Sequence, residues 1–441
     1  MLLTEYRLDL VIQALRTILP LEHPADTSLR YFFQRERIGS NERELVAETV
    51  FGVLRHRLFL EQACADPSET SSQATPRRMA LAYWVRFGGY NLRELTPLLK
   101  RDEGDWLGKV KGIALAELPL SVRAELPEWI IEKLRANMAE EEILITGNAM
   151  QQAAPLDLRV NTQLATREEI LQGLQAEKVE AQATPWSPIG IRIKGKPALN
   201  KSPLFLGGKF EVQDEGSQLL GFLLAPKRNE MVADFCAGAG GKTLMLGAMM
   251  NSQGRLYALD VSEKRLANFK PRLKRSGLSN VHPQRIAHEN DSKLKRLAGK
   301  IDRVLVDAPC SGLGTLRRNP DLKFRQSPQS VSELTQKQAA ILAAASKLLK
   351  PGGRLVYATC SLLHEENRAI VDAFLAAHPE FALRHAGEIL AQQKILLEAD
   401  ECLQLLPQKH GTDGFFAAVL ERVKPVGREE IDRLAPSGLN V

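Results

Sequence analysis

Long hydrophobic runs are missing from this 441-residue chain. No uninterrupted apolar stretch reaches the roughly 18 residues that a membrane-spanning helix needs, so no membrane partner is expected. The opening Met1-Leu2-Leu3-Thr4-Glu5 lacks the basic start and small-residue cleavage site of a signal peptide, which makes the cytoplasm the expected compartment. Cysteine is scarce. Cys64, Cys236, Cys310, Cys360 and Cys402 stand far apart, with no C-x-x-C pair and no His cluster at zinc spacing, so no metal is expected. Five scattered cysteines do not pair off into a disulfide framework; they point to reduced thiols used in packing or catalysis. Internal repeats and low-complexity tracts are absent as well, which removes repeat arrays from consideration.

What is present suits a globular chain of several domains. Single cores stop growing at about 250–300 residues, so two or three domains are expected. With 44% hydrophobic and 25% charged residues the composition is ordinary, and the formal net charge is +6. The charge is uneven: residues 264–303 hold twelve Lys and Arg against only Glu289, Asp291 and Asp302. Arg317, Arg318, Lys323 and Arg325 add a second basic cluster. Such runs suit either a solvated helix face or a polyanionic partner.

Residues 1–125 read as helical, because apolar positions such as Leu45, Val50, Val53, Leu54 and Leu58 recur at helical spacing, with Asn41 and Glu44 as a capping box. Residues 65–77 read as a polar loop, and Pro127 as the start of a helix over 128–138, whereas 139–150 carries a weak helical signal. Over 126–199 short apolar runs at 156–160 and 189–193 flank a helical 167–176, which predicts a small α+β module. From 200 to 424 strands at 231–236, 256–260, 281–286, 303–307 and 354–359 alternate with helices. This predicts an α/β, Rossmann-like domain with a parallel central sheet and helices on both faces. Ser330 and Glu333 are expected to cap its helix 331–350, and Lys350-Pro351-Gly352-Gly353 to end it. Residues 425–441 form a tail.

The segment Asp234-Phe235-Cys236-Ala237-Gly238-Ala239-Gly240-Gly241-Lys242-Thr243 follows a strand and opens a helix, where backbone N–H groups can meet a ligand. A dinucleotide fingerprint fails because Thr243 occupies the third glycine position, and a Walker P-loop fails because Cys236 occupies its first. What remains is an acid ending one strand, a glycine turn, and Asp260 ending the next strand, placed either to bind ribose hydroxyls or to cap the following helix. That arrangement suits S-adenosylmethionine.

Asp307-Ala308-Pro309-Cys310-Ser311-Gly312 and Thr359-Cys360-Ser361 each follow a strand, which places both thiols at the edge where open α/β sheets bind ligands. Carbon 5 of cytosine is too poor a nucleophile to be methylated directly. Thiolate addition at carbon 6 turns the ring into an enamine-like nucleophile, a form of covalent catalysis. A free thiol near pKa 8.5 is mostly protonated at neutral pH, so a helix N-terminus or cations such as Arg317, Arg318, Lys323 and Arg325 are expected to favour the anion. Asp307 is placed to hydrogen-bond the cytosine amino group or ring nitrogen.

These segments, with Gln213-Asp214-Glu215-Gly216-Ser217-Gln218, Glu365-Glu366-Asn367 and Gly411-Thr412-Asp413-Gly414-Phe415-Phe416, come in an order that resembles the Sun (Fmu/Nol/Nop) family of RNA cytosine-C5 methyltransferases, most closely its bacterial members acting on 16S rRNA. The resemblance covers most of the chain. It implies an N-terminal NusB-like RNA-binding domain around Phe51-Gly52-Val53-Leu54-Arg55 and an RNA-contacting module around residues 155–161. It further implies a cofactor site of Cys236, Ala237, Gly238, Ala239, Gly240, Gly241, Lys242, Asp260 and Asp307, with Cys360 as nucleophile and Cys310 assisting product release. The acid after the third strand is displaced from the family position; Glu289, Asn290 and Asp291 are candidates, and Asp291 is chosen. DNA cytosine methyltransferases use a Pro-Cys thiol like Cys310 instead, so the presence of both cysteines favours RNA. Two other readings are an RNA-binding assembly factor without chemistry and an NTPase built on Gly241-Lys242-Thr243.

Overall fold

The computed structural model describes residues 2–65, 74–101 and 103–424. The expected tail at 425–441 and most of the expected loop at 65–77 lie outside the described residues; of that loop, Thr75 caps and Pro76 opens the helix Pro76–Arg86. The N-terminal part is all helical, around a core that includes Leu8, Val11, Leu15, Val50, Leu54, Phe59 and Trp84. Trp84 is buried with its indole N–H satisfied by Thr49 Oγ1 at 2.9 Å. The helix expected from Asn41 begins one residue earlier, at Ser40, and ends at Arg55; its N-cap is Gly39, with no side-chain cap, so the Asn41–Glu44 box does not form. Residues 128–138 shorten to a helix Glu128–Leu134, and the weak segment that follows is a helix, Glu140–Gln151.

A small domain follows, with an antiparallel sheet of β1 (Leu156–Val160), β2 (Ala181–Ala183), β3 (Gly190–Ile193) and β4 (Phe210–Val212) in the order β2-β3-β1-β4. Its helix Arg167–Ala176 starts on a capping box of Thr166 and Glu169 and buries Ile170 and Leu174, one turn apart on one face.

The third domain carries β5 (Met231–Asp234), β6 (Arg255–Asp260), β7 (Val281–Arg285), β8 (Ile301–Asp307), β9 (Leu349–Thr359), β10 (Phe381–Arg384), β11 (Leu403–Leu405) and β12 (Phe415–Arg422). The order is β10-β12-β9-β8-β5-β6-β7, with β11 on β12. Strands β5 to β9 pair in parallel. The parallel central sheet expected from the alternation is β5 to β9, and at one end β10, β11 and β12 add antiparallel pairing. Both faces are covered: Val232, Leu256, Leu305 and Val356 enter one core, whereas Ala233, Tyr257, Val304, Val306, Leu355 and Tyr357 enter the other. That alternation has the period of two of an extended chain. The long helix runs Pro328–Ser346, capped by Ser327 with Ser330 rather than by Ser330 with Glu333, and Lys350 to Gly353 lie in β9 rather than ending a helix. Strand β5 stands between β6 and β8, where the order of the chain reverses, and a crevice opens there at the carboxyl ends of the strands.

Candidate active site

That crevice is a cleft of about 770 Å³. Three acids reach it from strand ends: Asp234 from β5, Asp260 from β6 and Asp307 from β8. Cys236, Ala237, Gly238, Ala239, Gly241 and Lys242 line it from the glycine loop, and Cys310 and Cys360 from the loops that follow β8 and β9. A groove of about 850 Å³ on the small domain, around Leu171, Val179 and Ile193, has neither thiol nor glycine turn.

The glycine loop is shaped by two left-handed residues. Gly238 has φ +56 and donates its N–H to Asp260 Oδ2 at 2.8 Å, while the position a side chain would take meets only Cys236 O, at 4.0 Å. Gly240 has φ +80, and a Cβ there would lie 1.9 Å from the Phe269 ring. Gly240 therefore does not line the cleft; it lets the helix Gly241–Met249 pack against the helix Glu263–Ser276. The other oxygen of Asp260 accepts the Ser262 N–H at 2.7 Å, and Ser262, not Asp260, is the N-cap of that second helix. Two arginines brace the loop: Arg159 donates to Gly241 O at 2.6 Å, and Arg272, which also lines the cleft, donates to Ala239 O at 2.7 Å. Neither was assigned to the site from sequence, because their partners are backbone carbonyls remote along the chain.

Buried Asp234 accepts the Thr243 hydroxyl at 2.7 Å, and its second oxygen has no hydrogen-bond partner. Burial pushes its carboxyl up to about 7. Lys242 Nζ donates to Asp307 Oδ2 at 2.7 Å. Burial alone would lower the Lys242 ammonium, but Asp307, and more weakly Cys360 and Asp234, hold it above the ordinary lysine value. Lys242 is thus the cation beside Cys360. The cluster expected in that role is committed elsewhere: Arg318 to Asp413 and Asp214, Arg325 to Asp321, Lys323 to Glu125, and Arg317 to the carbonyls of Thr412 and Ala153. Nor does a helix start at either thiol; a 3₁₀ turn follows each, Leu313–Thr315 after Cys310 and His364–Glu366 after Cys360.

The two sulfurs lie 3.4 Å apart. The hydrogen bond to Cys360 and burial push the Cys310 thiol well above its ordinary range. Cys236 is pushed up by burial and by the three acids, as suits a thiol used for packing. The loops that carry the thiols are stitched by backbone bonds, Gly314 N to Cys360 O at 2.8 Å and Gly414 N to Gly314 O at 2.8 Å. From the loop after β7, Glu289 lines the cleft and Asp291 does not; the Asp291 oxygens instead accept the N–H groups of Ala287 and Lys293 within their own turn. Among the described residues no cluster of His, Cys, Asp or Glu could hold a metal, and no helix is long and apolar enough to cross a membrane.

The same architecture recurs in known proteins. Residues 221–421 match a family model described as 16S rRNA methyltransferase RsmB/F, and residues 126–200 match the ferredoxin-like domain of RsmF/B-like methyltransferases. The probable ribosomal RNA small subunit methyltransferase B of Synechocystis sp. is 30% identical over 94% of this chain and 99% of its own. Ribosomal RNA small subunit methyltransferase B of Yersinia pestis is 35% identical over 87% of this chain and 91% of its own. The crystal structure of PH0851 is similar with a TM-score of 0.75 at 26% identity, over 96% of this chain and 99% of that one. Full-length similarity at this level, with a thiol pair and an acid-lined glycine loop in one cleft, places the chain in the family of ribosomal RNA small subunit methyltransferase B.

Proposed function

We propose that the protein methylates carbon 5 of a cytosine in 16S rRNA, with S-adenosylmethionine as donor and Cys360 as covalent nucleophile. The observation that carries this reading is the pair of sulfurs 3.4 Å apart in the cleft that the glycine loop also lines. The cleft fits the donor. Gly238 leaves open space for a close approach, the Asp260 oxygens each retain a lone pair beyond the N–H they accept, and a buried oxygen of Asp234 lacks a donor. Asp260 would hold the ribose hydroxyls and the glycine loop the methionine part, with Val261, Ile286 and Ile341 as the apolar lining. An NTPase finds less here, since Lys242 is bound to Asp307 rather than free for phosphates.

Bound S-adenosylmethionine supplies an electrophilic methyl group. The chain's own residues do the rest. The Cys360 thiolate adds to carbon 6 and makes carbon 5 nucleophilic. Asp307, fixed by Lys242, accepts a hydrogen bond from the cytosine amino group and orients the ring for addition. After transfer, carbon 5 loses its proton to a base, the sulfur–carbon 6 bond breaks, and the ring double bond returns. Cys310 then donates its S–H to the departing Cys360 sulfur and stabilises it as a leaving group.

Separate roles for the thiols give a qualitative test. Cys360→Ala should abolish both methyl transfer and any protein–RNA adduct, whereas Cys310→Ala should methylate and leave an adduct that survives denaturant. Denaturing gels with 16S rRNA fragments would show this, and bisulfite mapping would locate the base. An adduct from Cys360→Ala and none from Cys310→Ala would reverse the two assignments.

A further inference from the structure

The Glu365-Glu366-Asn367 segment has no role in the chemistry above, yet Glu366 is among the most buried carboxylates in the chain, with none of its surface exposed. Its Oε1 accepts Ser311 N–H at 2.8 Å and Gln338 Nε2 at 3.0 Å. Its Oε2 accepts the Ser311 hydroxyl at 2.5 Å and, over a short contact, the Ser361 hydroxyl. The two hydroxyls also meet each other at 3.1 Å. Ser311 and Ser361 are the residues that directly follow Cys310 and Cys360, so one carboxylate grips both thiol loops at matching positions. Gln338 extends the grip by donating to Pro309 O at 3.0 Å, on the other side of Cys310. Asn367 secures the second loop, accepting from Thr359 Oγ1 at 2.5 Å and donating to Ser361 O at 2.9 Å.

The arrangement is electrically lopsided. Lys242, bound to Asp307, lies on the cleft side of the thiols, whereas Glu366 lies in the interior and takes both the N–H and the hydroxyl of Ser311, next to Cys310, but only the hydroxyl of Ser361. A cation favours the thiolate of the nearer sulfur, and a buried anion disfavours it at the other, where low dielectric strengthens the effect.

We propose that Glu366 is a positioning residue, whose carboxylate ties the Cys310 loop to the Cys360 loop and makes the two thiols unequal, with Cys360 the anion beside Lys242 and Cys310 the hydrogen-bond donor beside Glu366. This rests on the proposed roles of the two cysteines. It adds a reason why two chemically identical side chains, in contact, do different work. The Cys310 proton stays on sulfur and points at Cys360, which is what the leaving-group role requires. The clasp also explains a spacing in the sequence, since Glu366 and Asn367 must follow Cys360 closely enough to turn back onto its own loop.

The test needs neither RNA nor cofactor, so it is independent of whether methyl transfer follows the proposed route. The full-length protein is alkylated with iodoacetamide from pH 6 to 9, and each site is followed by mass spectrometry. In the unaltered protein Cys360 should react at least about tenfold faster than Cys310 near neutral pH, the ratio that one pKa unit between thiols of equal access would give. In Glu366→Gln that ratio should collapse toward one, through faster reaction of Cys310, because the charge is lost while the shape is kept. A merely structural role would change both rates together and leave their pH profiles alike. Ser361→Ala, which loosens one strap and keeps the carboxylate, should retain the order Cys360 before Cys310 and stays informative if Glu366→Gln does not fold. Equal reactivity in the unaltered protein, Cys310 reacting first, or an unchanged ratio in folded Glu366→Gln would overturn the proposal. Failure of the denaturing-gel contrast would instead overturn the roles on which it rests.

Discussion

Asp234 is a carboxyl group at the floor of the cleft with one oxygen satisfied by Thr243 and the other without a partner. Burial raises its folded pKa to about 7, far above the value of about 3.9 expected when the chain is unfolded. Between those values the native state holds a proton that the unfolded state has released, so stability due to this group falls as pH rises from about 4 to about 7 and is level above that. Asp234→Asn, which cannot ionise, should therefore gain stability relative to the unaltered protein as pH is raised from 5 to 8. Urea midpoints at the two pH values measure this, and a difference that does not change with pH would show that Asp234 does not titrate in this range. The same residue shows what sequence can and cannot reveal at this scale. Asp234, Asp260, Asp307, Cys310 and Cys360 were legible because chain order alone puts strand ends at one edge of an α/β sheet. Glu366, Gln338, Arg159 and Arg272 were not, because each acts on a group far along the chain that only the folded structure brings near. Asp291 was chosen over Glu289 two residues away in an aperiodic loop, where only the turn that absorbs both Asp291 oxygens distinguishes them.

At the scale of elements, helix and strand interiors followed their periods, and departures concentrated at ends. The helix Arg167–Ala176 was readable to the residue because its capping box and apolar turn agree. Caps at Gly39 and Ser327 were missed because serine, asparagine and glutamate stand at several consecutive positions there, and only backbone geometry selects one. The antiparallel pairing of β12 against β9 was not readable, since a period of two is the same in either direction. Glycine supplies a measurable contrast. Gly238 and Gly240 share a left-handed conformation two residues apart, but only Gly240 is pressed against another element, the Phe269 ring. Gly238→Ala should lower stability by about 1–2 kcal/mol, the strain of a left-handed side chain. Gly240→Ala adds an overlap that must push two helices apart, worth about a further 1–3 kcal/mol. Equal urea midpoints for the two variants would show that the Phe269 contact does not constrain the loop.

Across the whole molecule, many of the cations that gave the sequence its basic character are internal fasteners. Arg272 and Arg275 hold Glu211, and Arg303 holds Glu230, while Lys264, Lys270 and Lys274 remain exposed and available to a polyanion. The helical domain is fastened to the methyltransferase domain through the segment after Cys310. Asp321 Oδ2 accepts the Ala25 N–H at 3.2 Å, and Arg55 donates to Arg317 O at 3.1 Å. At the centre, buried Lys323 donates to the carbonyls of Arg55 and Glu125, each at 2.8 Å, and pairs with the Glu125 carboxylate at 3.5 Å. Glu125 in turn accepts the N–H groups of Leu58 and Phe59 at the start of the helix Arg57–Cys64. Lys323→Ala would leave that carboxylate buried without its cation, which costs about 3–5 kcal/mol, whereas Lys323→Ala with Glu125→Gln removes the stranded charge and should recover a large part of it. Because the loss falls on the contact between domains, the single variant should release the helical domain before the sheet unfolds, giving two thermal transitions and early proteolytic cleavage between residues 112 and 127. A single, unshifted transition in Lys323→Ala would mean that apolar packing of Leu126, Ile130 and Ile131 against Leu313 and Leu316 is enough to hold the domains together.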